Sequence, residues 1–140
     1  MSISREIPQL FIELSHAPLQ ELLHTVNGVE FIMLSSSDGF ELTTAVSKHN
    51  MKNYGKIAAV SSSIMAMLSA FIAEIQLEGC QTITLNAENG NVFLSAINHP
   101  QYPMVLTAVA NKDVVIGQMQ YHFKQLAKQL ADFPLYSTSR

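Results

Sequence analysis

Ser35, Ser36, Ser37 and Asp38 stand in a row. Hydroxyls beside a carboxylate raise the prospect of a hydrolase, in which a base-activated serine attacks a carbonyl. The strand-turn-helix signature G-x-S-x-G is absent, however, and Asp38-Gly39 between two apolar runs explains the same residues as turn formers. His16, His24, His49, His99 and His122 show neither HxxxH nor HExxH spacing, and Cys80 has no nearby partner, so no metal site and no cofactor is expected. No G-x-x-x-x-G-K-[ST] loop is present to cradle phosphates. The two arginines, Arg5 and Arg140, lie near the ends, whereas a catalytic arginine must be held rigidly against developing charge. These absences predict a protein that is not an enzyme. Ser61, Ser62 and Ser63 read as spacers in a helix rather than as a phosphorylation site.

One group of residues does have recognition chemistry. Lys48, Lys52, Tyr54 and Lys56 gather in a polar loop just ahead of a long apolar stretch. Such a cluster is either a solvated loop or a contact for an acidic protein surface, with tyrosine giving rigid area and lysine giving electrostatic steering. Nucleic acid would demand a broader basic face with more stacking aromatics, and the formal net charge of −3 opposes it.

The apolar stretch that follows, Asn53 to Gly79, has no charged residue between Lys56 and Glu74. Ile57, Val60, Ile64, Leu68, Phe71 and Ile75 recur at helical steps and are expected to seal a core. Gly55, Ala59, Ser62, Ala66, Ser69 and Ala73 form a second track, all small, suited to close approach of another helix. This pattern predicts a helix buried on two sides, by its own sheet and by a partner, with Ala59, Ser62, Ala66, Ser69 and Ala73 in a homodimer seam. A covering by other parts of the same chain is the alternative. A bilayer-spanning role is disfavoured by the length of the uncharged run and by its serines.

Around this helix the remaining elements read as follows. Ile7, Leu10, Phe11 and Leu14 have helical spacing until Pro18 interrupts, so residues 1–18 are expected to form an arm or short leading helix. A first helix of the fold proper runs from Leu19 to Asn27-Gly28. Val29 to Ser35 and Phe40 to Val46 flank Asp38-Gly39 as a hairpin, the first strand central and the second marginal. Gly79 is expected to cap the long helix. Cys80 to Ala87 alternates with one polar face and reads as another edge, whereas Asn91 to Asn98 and Met104 to Ala110 read as interior strands. A last helix buries Val115, Met119, His122 or Phe123, Leu126 and Leu130, and residues 134–140 are expected to fray.

Central strands that are apolar on both faces need a layer on each side, which predicts a three-layer α/β/α sandwich spanning residues 19–133. With 140 residues, 48% hydrophobic and 14% charged, the chain is one domain with more apolar surface than a single small core absorbs. The lone cysteine excludes an internal disulfide, and the start of the chain lacks the order of a secretory signal, so a cytoplasmic location is expected.

The phrase LLHTVNGVEFIMLSSSDGFELTTA, the Ala- and Ser-rich helix after KIAA, the turn ENGNVFLSAI and the closing VVIGQMQYHFKQLAKQL together resemble the Roadblock family. That family includes dynein Roadblock light chains and bacterial MglB-like regulators of small Ras-like GTPases. The resemblance extends from Leu19 to Leu130. It implies a profilin-like, five-stranded antiparallel sheet of order 2-1-5-4-3 and a homodimer through the second helix and third strand, bringing Thr82 and Thr84 into the interface. It further implies a small Ras-like GTPase as partner, whose nucleotide cycle or location the dimer modulates. A small-molecule-sensing profilin-like module and a purely structural scaffold subunit are the competing expectations.

Overall fold

In the structure, a computed structural model that describes residues 7–47, 53–78 and 82–133, eight elements follow in order. They are α1 (Gln9–Thr25), β1 (Val29–Ser36), β2 (Glu41–Val46), α2 (Tyr54–Glu74), β3 (Thr82–Ala87), β4 (Gly90–Ile97), β5 (Met104–Asn111) and α3 (Ile116–Ala131). The expected frayed tail at 134–140, the Gly79 cap, Cys80, His49, Lys48, Lys52, Arg5 and Arg140 lie outside the described residues.

The strands form one antiparallel sheet of order β2-β1-β5-β4-β3, so the two half-polar runs stand at its margins and the apolar runs inside. Strand β1 shows why both faces need cover. Its pairing with β5 shifts between Val29 and Phe31, which puts Val29 on the same face as Ile32 and Leu34, under α1 and α3. Phe31 and Met33 point to the opposite face, under α2. The result is the α/β/α sandwich, but its two cores are unequal. On the α1/α3 side, Phe11, Leu19, Phe93, Met119, Phe123 and Leu130 join one large cluster. Each such side chain contributes about 1.5–3 kcal/mol by leaving water. On the α2 side there are two small clusters, one around Phe31, Met33 and Ala58 and one around Met65, Leu94 and Val105.

Two sequence expectations are corrected here. The break at Pro18 is absent: α1 is continuous from Gln9 to Thr25 with Pro18 inside it. Phe11 and Leu19 on either side are both fixed in the core, at 2% and 0% exposure, which holds the two halves in line despite the missing N–H donor. The second correction concerns α2, whose large residues seal the core only in part: Ile57 and Ile64 pack against it half-buried. Its buried residues are Ala58, Ser61 and Met65, whereas Val60, Phe71 and Ile75 remain 49%, 56% and 47% exposed. Where the sheet supplies bulk through Phe31 and Met33 the helix approaches through the small Ala58, and about two turns further on Met65 fills the space against Leu94 and Val105. In α3 the inward residue is Phe123 rather than His122, and Val115 lies at the N-cap, exposed.

The helix ends are explained locally. Asn53 caps α2 by accepting a hydrogen bond from Lys56 N at 3.0 Å. At the other end Leu77 N bonds Ile72 O at 2.9 Å and Gln76 N bonds Ala73 O at 3.0 Å, with Gln76 at φ 65°. That pair of bonds is a Schellman closure, formed three residues before Gly79 with a glutamine in the left-handed position.

Candidate interaction surface

At about 100° per residue, α2 divides into three longitudinal tracks. Ala58, Ser61 and Met65 look onto the sheet. On one flank run Val60, Ile64, Met67 and Phe71; on the other run Ala59, Ser62, Ala66, Ser69 and Ala73. The small flank meets its own chain at the N-terminal half. A Cβ placed on Gly39 would sit 3.2 Å from Ala59 Cα and 3.7 Å from Ser62 Cβ, and Ser62 Oγ donates to Ser37 O. Gly39 itself has φ 97°, so the β1–β2 turn reaches α2 through a residue that tolerates both the conformation and the crowding. Ala59 and Ser62 therefore meet the β1–β2 turn, Ser62 half-buried and Ala59 still exposed, and Ala66, Ser69 and Ala73 are exposed as well.

The large flank has no such cover among the described residues. Val60 and Phe71 are about half exposed and Met67 is 65% exposed. Leu85 of the marginal strand β3, 44% exposed, continues this apolar surface across a groove of about 390 Å³. Ile57, Val92 and Val109 form part of its walls and Lys56 stands at its rim. Thr107, 1% exposed, lies in the floor, and its hydroxyl has no hydrogen-bond partner among the described residues. At 21 residues and a mean hydropathy of 1.7, α2 is also long and apolar enough to cross a membrane by length and composition, and 17% of that window is buried within the molecule.

The other sequence-derived residues fall in different places. Tyr54 is half-buried with its ring edge-on to Phe31 at 5.2 Å. Its hydroxyl pKa is raised, first by desolvation and then by the charge of Glu41. Lys56 is exposed. Thr84 lies on the α3 face, where its hydroxyl accepts from Gln120 Nε2 at 3.1 Å, and Thr82 lines a groove beside α3. The structure thus brings Lys56 and the α2 flank together and turns the side chains of Thr82 and Thr84 away from them.

Comparison of this geometry with solved structures finds close matches. An MglB with a tetrameric arrangement superposes with a TM-score of 0.78 at 18% identity, covering 86% of this chain and 88% of that one. Myxococcus xanthus MglB gives 0.74 at 13% identity, covering 84% and 92%. A Roadblock/LC7 domain from Streptomyces avermitilis gives 0.70 at 14% identity, covering 81% and 92%. The fold is that of the Roadblock/LC7 domain. No family model matches the sequence, and no curated protein matches it.

Within this Roadblock fold, sequence reasoning missed Val60, Met67, Phe71 and Leu85 as surface residues. A signal was present. Large apolar residues on α2 span more of the helix circumference than one sheet can cover, so part of that arc had to be left outside. Three of the histidines are occupied structurally: His16 Nδ1 lies 2.9 Å from Thr43 Oγ1, and His24 Nδ1 2.9 Å from Gln20 O. Buried His99 accepts from Gln101 N and Tyr102 N on Nδ1, leaving Nε2 to donate to Phe133 O at 3.2 Å.

Proposed function

We propose that this chain is a non-catalytic, cytoplasmic homodimeric regulator or adaptor that binds a small Ras-like GTPase and modulates its nucleotide cycle or location. The observation that carries this reading is the large flank of α2, an apolar surface continued by Leu85 on a marginal strand, in a fold shared with MglB. Exposed apolar area of this kind belongs to interfaces. In the dimer, Val60, Met67, Phe71 and Leu85 supply the apolar area. Ala66, Ser69 and Ala73 let the backbones approach, Ala59 and Ser62 brace the seam from within, and the backbone edge of β3 that carries Thr82 and Thr84 adjoins its copy. Lys56, with Lys48, Lys52 and the Tyr54 end of α2, steers an acidic GTPase surface to the shared platform.

The test has two parts. Light scattering on the purified chain is expected to give twice the monomer mass, and Ala66→Arg is expected to convert it to monomer. Loading a companion Ras-like GTPase with GDP or a GTP analogue is expected to give at least a tenfold difference in affinity. Equal, weak binding of both states removes the GTPase, and an unaltered mass for Ala66→Arg removes Ala66 from the seam.

The hydroxyl of Thr107, without a partner among the described residues and set in a largely apolar groove, favours a second reading, a small-molecule-sensing module. Its mark is a saturable rise in melting temperature with a largely apolar carbonyl compound, abolished in Thr107→Val.

A further inference from the structure

A second groove, of about 460 Å³, lies on the opposite layer, between α3 and the β3–β4 margin of the sheet. Its origin is in side-chain size. Ser95 on β4 faces Ala127 and Ala131 on α3, so helix and sheet leave a trough where larger residues would have filled it. Lys124 and Lys128 line one wall, one helical turn apart, and Thr82 and Asn98 bring hydrogen-bonding groups from the sheet. These are two of the four lysines among the described residues, and among those residues neither has an ion-pair partner. In a chain with a formal net charge of −3, the trough is a local cationic site.

We infer that this trough is a docking site for an extended acidic segment of a partner protein, bearing two carboxylates two residues apart. Charge complementarity selects the sign, and the spacing follows from geometry. Residues at i and i+4 on a helix hold their Cβ atoms about 5–6 Å apart. In an extended chain, residues i and i+2 share a face at roughly 6.6 Å, whereas i and i+1 point to opposite sides. An acid-x-acid segment therefore meets both ammonium groups at once. Residues 134–140, PLYSTSR, are a poor occupant, since none of their side chains is acidic and one is an arginine. Nucleic acid is disfavoured because the trough has two cations and no aromatic to stack on a base. The site lies on the layer opposite α2 and stands independently of the GTPase reading. A protein with both surfaces would hold two partners at once, one on each side of the sheet.

The experiment is fluorescence anisotropy on the full chain at low salt, with labelled Gly-Ser-Glu-Val-Glu-Ser-Gly and its isomer Gly-Ser-Val-Glu-Glu-Ser-Gly. The first peptide is expected to bind at least threefold more tightly, and raised salt to weaken it. Lys124→Ala and Lys128→Ala are each expected to weaken it by roughly two- to fivefold, the range of exposed ion pairs. Both lysines are exposed, so the fold, checked by circular dichroism, is expected to be unchanged. Equal affinity for the two peptides, or undiminished binding by the double variant, overturns the proposal. So does displacement of the peptide by millimolar inorganic phosphate with no spacing preference, which marks a simple anion site. A severalfold gain in peptide affinity on removing residues 135–140 gives the trough to the chain's own end and also overturns it.

Discussion

His99 joins three separate parts of the chain. Its ring sits edge-on to Phe11 of α1 at 5.8 Å and stacks on Tyr102 at 6.0 Å, while its two nitrogens bind the β4–β5 connection and the residue after Asp132. Truncating a 7%-exposed ring with three backbone partners leaves both a cavity and unsatisfied polar groups. His99→Ala is expected to lower stability by about 2–4 kcal/mol in urea denaturation, and His99→Gln, which keeps an acceptor and a donor, to recover part of it. Tyr54 gives a pH dependence of known sign. Because burial and Glu41 raise its folded pKa above the ordinary value of 10.0, the neutral phenol is the form the fold favours. Its contribution is present in full below pH 10.0 and is lost as pH rises toward the folded pKa. Tyr54→Phe is expected to flatten the decline in melting temperature above pH 10.0, and a decline of unchanged slope counts against this account.

At the scale of elements, the end of α2 has a residue in the wrong conformation for its type. Gln76 adopts φ 65° in a Schellman closure that glycine would form without steric penalty. The left-handed region costs an L-residue roughly 1–2 kcal/mol, and glycine returns part of that through its greater freedom when unfolded. Gln76→Gly is therefore expected to stabilise the domain by about 0.5–1 kcal/mol, read as a rise in the denaturation midpoint at constant slope. The opposite end behaves conventionally. Asn53→Ala removes the hydrogen bond to Lys56 N and is expected to cost about 1 kcal/mol.

At the scale of the molecule, the unequal cores set the behaviour. The α1/α3 side is closed by one large cluster, whereas the α2 side leaves valine and phenylalanine half exposed, the surface that the proposed dimer would cover. Stability should then depend on concentration, since a partner that binds only the folded state shifts unfolding by mass action. The melting temperature is expected to rise between micromolar and hundred-micromolar protein, and Phe71→Ser to abolish that rise while leaving the dilute value nearly unchanged. A rise that persists in Phe71→Ser places the interface elsewhere.

The sandwich and the marginal or interior place of each strand were legible in the residues, whereas the full strand order came from the resemblance to the Roadblock family. Margin and interior follow from which runs are apolar on two faces, as in Val29 to Ser36, and which on one, as in Glu41 to Val46. Turn chemistry at Asp38-Gly39 and Asn89-Gly90 fixed the hairpins for equally local reasons. Which face of α2 meets the sheet was not local. Periodicity marks Val60 and Phe71 as apolar but is silent on whether the surface that covers them is the chain's own. That was decided by the face of the sheet under α2, where the bulk of Phe31 and Met33 leaves room for Ala58 and the side chains of Leu94 and Val105 receive Met65. Pro18 shows the same limit in reverse: a residue that breaks an isolated helix is carried through when Phe11 and Leu19 anchor both sides of it. Sequence sets what each segment prefers, and the tertiary structure decides which of its surfaces the rest of the chain has volume left to cover.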